Sequence, residues 1–216
     1  KQIAEIKKVK EKKLLVGAAI GAGAQELKRA EAILKEKVDL IVVDTAHGHS
    51  KKVGEIIKKI IKKKTNKTTL CAGNIATLEA AKFLIRLGVD IIKVGIGPGS
   101  ICTTRLVAGI GVPQLSAILE VKKGVKNRKV KIISDGGIKF SGDIAKALAA
   151  GADAVMIGSL FAGTLEAPGK LIKKNGKLYK NFRGMGSVGA MNKGSADRYF
   201  QKKQKDTSKY VPEGVE

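Results

Sequence analysis

The chain has 216 residues, 44% of them hydrophobic, which is enough for one sizeable core. It contains no run of about 18 apolar residues, so no membrane span is predicted, and its two cysteines are too few for a disulfide framework. We therefore expect a globular protein of the reducing cytoplasm.

The formal net charge of +23 raises the alternative of a nucleic-acid-binding module. Only six of the 42 basic residues are arginines, and aromatic residues make up 4% of the chain. The lysines concentrate in helical segments such as KKVGEIIKKIIKKK (51–64), which favours solvated helix faces. We do not expect nucleic-acid binding, because side chains that stack on bases are scarce.

Short runs rich in Val and Ile alternate with segments whose apolar residues recur three and four apart. The runs predict buried parallel strands near Leu14–Ile20, Leu40–Asp44, Thr69–Ala72, Ile91–Gly95, Lys131–Asp135 and Ala154–Gly158. The segments between them predict helices near Gln25–Glu36, Lys52–Lys63, Leu78–Leu87, Gln114–Lys123 and Gly142–Ala150. This alternation is typical of βαβ units.

Small or polar clusters follow nearly every predicted strand, as in DTAHGHS, AGNIAT and SDGGI. Such loops share one face of a (β/α)8 barrel, whereas an open doubly wound sheet collects its site at one switch point. The pattern favours the α/β class and a (β/α)8 TIM barrel. Six strands do not close that barrel, so residues 1–174 are expected to hold strands three to eight, with the first two missing from this chain. Residues 175–216 show no helical or strand period and are expected to form an active-site loop and mobile flap.

The densest candidate site is the loop Gly95–Thr104, GIGPGSICTT. Its glycines allow close approach of the backbone to a ligand, and successive amides or carbonyls can hold an ion. Cys102 in this loop is either an activated nucleophile or a buried structural thiol, and position alone leaves both open. Cys71 lies in an apolar stretch, where a small buried side chain is expected.

Two later segments are typical of phosphate sites. Gly137 follows one predicted strand and Gly158 and Ser159 follow the next, and barrels commonly bind phosphate after their seventh and eighth strands. Asp135 at its strand end can accept from a pair of ribose hydroxyls. Flavin-dependent barrels carry a similar pattern, so a flavin-dependent oxidase is an alternative.

Four polar residues near other strand ends are less specific. His47 and His49 have no third ligand at fixed spacing, so turn residues are favoured over a zinc site. Asp44 ends an apolar strand, where a carboxylate is costly unless a ligand uses it. For Asn74, turn formation and ligand contact remain equal alternatives.

Six motifs together resemble the IMP dehydrogenase family in order and spacing. They are GIGPGSICTTR (95–105), SDGGI (134–138), GSLFAGTLEAPG (158–169), FRGMGSVGAM (182–191), SADRYFQ (195–201) and VPEGVE (211–216). The resemblance extends over nearly the whole chain from about Leu14. It implies a cytoplasmic, usually tetrameric (β/α)8 barrel that oxidises IMP to XMP with NAD and a potassium ion, in guanine nucleotide biosynthesis.

The resemblance also implies residue roles. Cys102 matches the thiol that attacks C2 of hypoxanthine, Arg198 and Tyr199 the mobile-flap pair that activates water, and Thr104 and Glu213 a second proton relay. Substrate contacts match Ser100, Asp135, Gly137, Gly158, Ser159, Met185, Gly186 and Glu213. Asp44 and Asn74 match positions near the nicotinamide riboside. The carbonyls of Gly97, Gly99 and Cys102 match the potassium ligands.

This sequence departs from the family pattern in three respects. Phe182 replaces a tyrosine whose hydroxyl contacts the phosphate in many members. The first two barrel strands and a C-terminal segment that lends cation ligands to a neighbouring subunit are expected to be absent. The paired regulatory CBS module, expected near residues 10–13, is absent too.

GMP reductase is the nearest alternative, because it shares the CTTR loop and the DGG segment. It is expected to lack the RYF flap. The RYFQ and VPEG motifs therefore favour IMP dehydrogenase.

Overall fold

The computed structural model describes residues 2–23, 25–125 and 129–216, which contain one six-stranded parallel sheet. Its strands are β1 Gly17–Ile20, β2 Leu40–Asp44, β3 Thr69–Ile75, β4 Ile91–Val94, β5 Lys131–Asp135 and β6 Ala154–Met156. They lie side by side in chain order, each parallel to the next. A doubly wound sheet would reverse its order at a switch point. The unbroken order confirms the predicted partial (β/α)8 barrel.

The predicted connecting helices are confirmed, with ends shifted by up to two residues. The helices are α1 Gln2–Glu11, α2 Glu26–Lys35, α3 Lys51–Ile61, α4 Leu78–Leu87, α5 Thr104–Val107, α6 Gln114–Val125, α7 Ser141–Ala149, α8 Ser159–Ala162 and α9 Val188–Ala190. Side-chain oxygens of Ser50 and Thr77 accept from the first turns of α3 and α4. Gly88, with φ of +86°, ends α4 in a conformation that disfavours a side chain.

Helix α1 was not among the predicted elements. Its apolar content is low, and its position depends on tertiary contacts: Ile6 is buried and Lys10 pairs with Asp39 at 2.6 Å. The main core lies between the sheet and helices α2, α3, α4 and α6, and its fully buried members include Ile33, Ile57, Leu84, Ile118 and Ile132. This packing fixes the carboxyl ends of the strands, where the loops meet.

A hairpin interrupts the segment predicted to lack regular structure. Strand β7, Leu171–Lys174, pairs antiparallel with β8, Lys177–Lys180, so the expectation of no regular structure from residue 175 is wrong here. The turn residues Asn175 and Gly176 have φ of +50° and +76°, and Asn-Gly is a strong sequence signal for a tight hairpin. The predicted boundary between the barrel and the flap, at residues 174 and 175, falls where β7 meets this turn. The division of the chain into these two parts stays a prediction.

After the hairpin the chain folds into short helical turns. A turn at Met191–Ser195, kinked at Gly194 with φ of +120°, follows α9, and 3-10 turns lie at Ala196–Tyr199 and Thr207–Lys209. Met191, Ala196 and Tyr210 form a small second core. We call residues 187–213 the flap segment, and this small core holds it together.

Candidate active site

A cavity of about 160 Å³ opens at the carboxyl ends of the central strands. The Gly95–Thr104 loop forms one wall and the flap segment closes the opposite side. The structure brings most of the predicted site residues to this cavity, which we call the Cys102 pocket: Asn74, Gly97, Gly99, Cys102, Thr104, Asp135, Met185, Gly186, Arg198, Tyr199 and Glu213.

The Cys102 loop is tied to the end of the chain through the backbone. Thr103 N donates to Glu213 O at 2.9 Å, and Val215 N donates to Ile101 O at 2.9 Å. Cys102 itself forms an isolated antiparallel bridge with Gly214. Two segments more than a hundred residues apart in sequence therefore form one rigid wall around the thiol.

Three side chains in this wall form a hydrogen-bonded line. The Cys102 thiol donates to Thr104 Oγ1 at 3.2 Å, and the Thr104 hydroxyl donates to Glu213 Oε2 at 2.8 Å. A hydroxyl between a thiol and a carboxylate can pass a proton in either direction. This geometry agrees with the predicted pairing of Thr104 and Glu213.

The two cysteines have opposite environments. Cys71 on β3 is fully buried, and desolvation raises the pKa of its thiol to about 12. Cys102 is partly exposed and faces the pocket. Because only a thiolate is nucleophilic, Cys102 is the cysteine suited to covalent chemistry, and the predicted buried role of Cys71 is confirmed.

Arg198 and Tyr199 reach the pocket from the flap segment. The Arg198 guanidinium pairs with the Asp44 carboxylate, and the Arg198 carbonyl accepts from Ala46 N at 3.0 Å. Burial lowers the pKa of the Arg198 guanidinium below its ordinary value. Burial also raises the pKa of the Tyr199 phenol, although the charge of Arg198 opposes this effect. Tyr199 therefore remains a protonated donor beside Arg198.

Asp44 lies behind Arg198 and does not line the Cys102 pocket. It lines an adjoining cavity of about 540 Å³, which it shares with Arg198. Its Oδ1 atom is 3.0 Å from Lys93 Nζ, yet this buried oxygen makes no hydrogen bond among the described residues. In this arrangement the Asp44 carboxylate is enclosed by Lys93 on one side and Arg198 on the other.

Lys93 is a site residue that the sequence interpretation missed. It lies on β4, is 3% exposed, and its ammonium pairs with both Asp44 and Asp135. The available signal was a lysine inside the apolar run Ile-Ile-Lys-Val, where a charge is costly unless it is paired. The abundance of lysine elsewhere in the chain hid this signal.

Four predicted substrate contacts lie outside the walls of the Cys102 pocket: Ser100, Gly137, Gly158 and Ser159. Gly137, with φ of +82°, packs beside Pro98 and Gln114. Gly158 lines a neighbouring cavity of about 1580 Å³ and faces the Phe182 ring. The structure thus separates a pocket around the thiol from a wider cavity beside the predicted phosphate residues.

The histidines form no metal cluster. His49 packs against Phe83 with ring centroids 4.9 Å apart. Among residues 2–23, 25–125 and 129–216, no group of three or more His, Cys, Asp or Glu side chains is arranged to hold a metal ion. Turn and packing roles fit His47 and His49.

The flap segment carries a partly buried carboxylate, Asp197. Asp197 sits against the loop after β1, where a side chain added at Gly21 would collide with its carboxylate. Burial, followed by the charge of Glu26, raises the pKa of Asp197 above its ordinary value of 3.8. Ionisation of Asp197 therefore opposes docking of the flap segment at neutral pH.

Replacing Asp197 with Asn should raise the thermal unfolding temperature slightly at neutral pH. The raised pKa means that ionisation costs free energy in the folded state as pH rises above about 3.8, and this cost vanishes below that value. Circular dichroism melts at neutral and acidic pH test the effect. An equal gain at both pH values would contradict it. Asp206→Asn is the control. Hydrogen bonds from Ser208 lower the pKa of Asp206, so this substitution should lower the unfolding temperature at neutral pH.

Comparisons with known proteins agree with this architecture. Residues 1–216 match the family described as the IMP dehydrogenase / GMP reductase domain. Inosine-5'-monophosphate dehydrogenases from Rhizobium tropici and Borreliella burgdorferi are each 55% identical over 204 residues, or 94% of this chain. The match spans 41% and 50% of those two relatives.

A solved structure is similar as well. It is a variant of GMP reductase from Trypanosoma brucei in complex with guanosine 5'-monophosphate, with a TM-score of 0.81 and 45% identity. The similarity covers 94% of this chain and 41% of that one. With its six consecutive barrel strands and its thiol at their carboxyl ends, the chain belongs to the IMP dehydrogenase / GMP reductase domain family.

Proposed function

We propose that this chain is the catalytic barrel of an IMP dehydrogenase, which oxidises IMP to XMP with NAD for guanine nucleotide biosynthesis. The observation that carries the proposal is the Cys102–Thr104–Glu213 line in a pocket closed by Arg198 and Tyr199. The curated relatives of 55% identity bear the corresponding name. Because the chain spans at most half of those relatives, the activity is assigned to the full-length protein.

The first half-reaction uses the thiol. Cys102 as thiolate would add to C2 of the hypoxanthine ring, and the hydride leaving C2 would pass to a bound NAD, so that the purine is oxidised by two electrons. The product of this step is a thioimidate between Cys102 and the purine. Asp135 would hold the ribose hydroxyls, and the amides of Met185 and Gly186 would face the base.

The second half-reaction is hydrolysis of the thioimidate. A water molecule adds to C2, one proton leaves that water, and the C–S bond breaks to return the Cys102 thiol. Arg198 and Tyr199 are the proposed activating pair, since burial makes the Arg198 proton easier to lose. The Thr104–Glu213 relay offers a second route for the proton. A flap that enters after hydride transfer keeps water out of the first step.

The wider cavity fits the predicted phosphate site. Gly158 lines this cavity, and Ser100, Gly137 and Ser159 would contact the phosphate together with it. Phe182 lines the same cavity with its ring against Gly158, and it has no hydroxyl to donate. We infer that backbone amides and the basic side chains of this cavity donate to the phosphate in place of the missing tyrosine hydroxyl.

NAD fits beside Asp44 and Asn74 in the open-flap state. With Arg198 withdrawn, the Asp44 carboxylate at the wall of the adjoining cavity would accept from a ribose hydroxyl. In this structure the Arg198 guanidinium forms an ion pair with one carboxylate oxygen of Asp44, Oδ2. The nicotinamide ring, when bound, supplies the hydride acceptor.

A monovalent cation fits the Cys102 loop. The loop 95–104 contains no carboxylate, and the carbonyls of Gly97, Gly99 and Cys102 are neutral oxygen donors. Gly97 has φ of +80°, a conformation that glycine adopts without strain. A bound potassium ion would order the loop that carries the thiol.

Replacing potassium with sodium should lower the steady-state rate of NADH formation about tenfold or more, since neutral carbonyl oxygens replace the hydration shell of potassium more readily than the tighter shell of the smaller ion. Initial rates in matched chloride solutions measure this dependence. Equal rates in both salts would contradict the assigned cation site.

IMP dehydrogenase and GMP reductase are distinguished by one pair of assays. The full-length protein should produce NADH from IMP and NAD, and should not oxidise NADPH in the presence of GMP. The reverse result would favour the reductase named for the similar solved structure. The observation against the reductase is the placement of Arg198 and Tyr199 beside the thiol.

The assembly and location follow from the resemblance. We propose a cytoplasmic homotetramer, which sedimentation of the full-length protein tests. No described helix is both long and apolar enough to cross a membrane.

A further inference from the structure

Lys93 joins four neighbouring strands through one ammonium group. Its Nζ on β4 lies 3.0 Å from Asp44 Oδ1 on β2, and it donates to Asn74 Oδ1 on β3 and Asp135 Oδ2 on β5. Among the residues that the structure describes, Lys93 is the only charged residue that is buried. The ammonium is therefore placed at the base of the proposed substrate and cofactor sites.

Such a burial needs a reason beyond stability. Removing an ammonium from water is costly. Proteins in which apolar residues replace a buried ion pair are often as stable as the original or more stable. The other residues of β4 are Ile, Ile and Val, and Ile92 and Val94 are fully buried. A fourth apolar residue would suit this strand, so the charge at position 93 indicates a functional role.

We propose that Lys93 is a positioning residue for the nucleotide sugar, acting through Asp135 and Asn74; this role rests on the function proposed above. Asp135 Oδ2 accepts hydrogen bonds from Lys93 Nζ and from Asn74 Nδ2, the latter at 2.9 Å. Asp135 Oδ1 has no hydrogen-bond partner among the described residues, and Asp135 lines the Cys102 pocket. One carboxylate oxygen is thus anchored, while the other can accept from the ribose.

Lys93 also sets the orientation of the Asn74 amide. Because the ammonium has only donors, it must face the oxygen of the amide, and the amide nitrogen is then directed to Asp135 and to Gly95 O at 2.8 Å. Gly95 begins the loop that carries Cys102. Loss of Lys93 would therefore loosen the Asp135 carboxylate and the start of the thiol loop together.

The test is IMP binding by isothermal titration calorimetry, with steady-state kinetics, on the full-length protein. Lys93→Met should raise the Kd and KM for IMP about tenfold, since a hydrogen bond to a charged group is lost. The kcat at saturating IMP should fall less than KM rises. Lys93→Arg, which keeps the charge, should bind IMP more tightly than Lys93→Met.

Two further variants keep the test decisive. Lys64→Met removes a lysine that pairs with Asp90 at 3.4 Å, outside the Cys102 pocket, and should leave the Kd for IMP unchanged. If Lys93→Met does not fold, Lys93→Gln removes the charge without altering Asp44, and it should lose more IMP affinity than Lys93→Arg.

The outcomes separate the two proposals. Wild-type IMP affinity in the folded Lys93 variants would overturn the role of Lys93 and leave the proposed function standing. Absence of both IMP binding and NADH formation in the unmodified full-length protein would overturn the proposed function. A loss of IMP affinity in Lys64→Met equal to that in Lys93→Met would also count against a positioning role.

Discussion

Replacing Cys102 with alanine should reduce NADH formation from IMP by at least about 10⁴-fold, because the hydride cannot leave C2 until a nucleophile has added. That loss corresponds to roughly 5.5 kcal/mol of transition-state stabilisation. Folding should be preserved, since Cys102 is partly exposed and its backbone contacts with Gly99 and Gly214 do not involve the thiol. Thermal melts of the variant check this expectation.

Chemical labelling tests the same residue without a mutation. A purine nucleotide with an electrophilic C2 should modify Cys102 and protect it from iodoacetamide, as shown by peptide mass spectrometry. Cys71 is the internal control, because burial raises the pKa of its thiol to about 12 and keeps it protonated. Modification of Cys71 with Cys102 untouched would refute the assignment.

Replacing Arg198 with alanine should separate the two half-reactions. We expect a normal first burst of NADH, since the Cys102–Thr104–Glu213 line does not include Arg198. Steady-state turnover should then fall about 10²–10³-fold, because water activation is lost and the covalent intermediate accumulates. Rapid-quench kinetics of the full-length protein measures both phases.

The contacts of Arg198 define the controls. Lys203→Ala changes an exposed charge in the same flap segment and should leave both phases unchanged. Asp44→Asn removes the partner of the guanidinium, so the flap should dock less firmly. An unchanged steady-state rate in Arg198→Ala would mean that Arg198 takes no part in water activation and only pairs with Asp44. A lost burst would place it in the first half-reaction.

Local sequence patterns were sufficient to predict the partial barrel. Unbroken runs such as Leu40–Asp44 predict strands buried on both faces, and their alternation with helical periods admits few topologies. The glycine-rich Gly95–Thr104 loop identified the neighbourhood of the thiol for the same reason: backbone approach and positive φ are local requirements. The Asn175–Gly176 turn was equally local, and its hairpin was predictable from that signal.

Contacts between distant residues were decided only by the tertiary structure. The sequence predicted Asp44 as a ligand contact, but its placement behind Arg198 follows from docking of the flap segment on β2. Lys93 stands out in the sequence only by its place in the apolar run Ile-Ile-Lys-Val, and the many lysines of the chain hid that signal. Its role depends on Asp44, Asn74 and Asp135, which are brought together by three parallel pairings of the sheet. The free energy of a buried charge is set by the partners within a few ångströms, and sequence spacing does not record those distances.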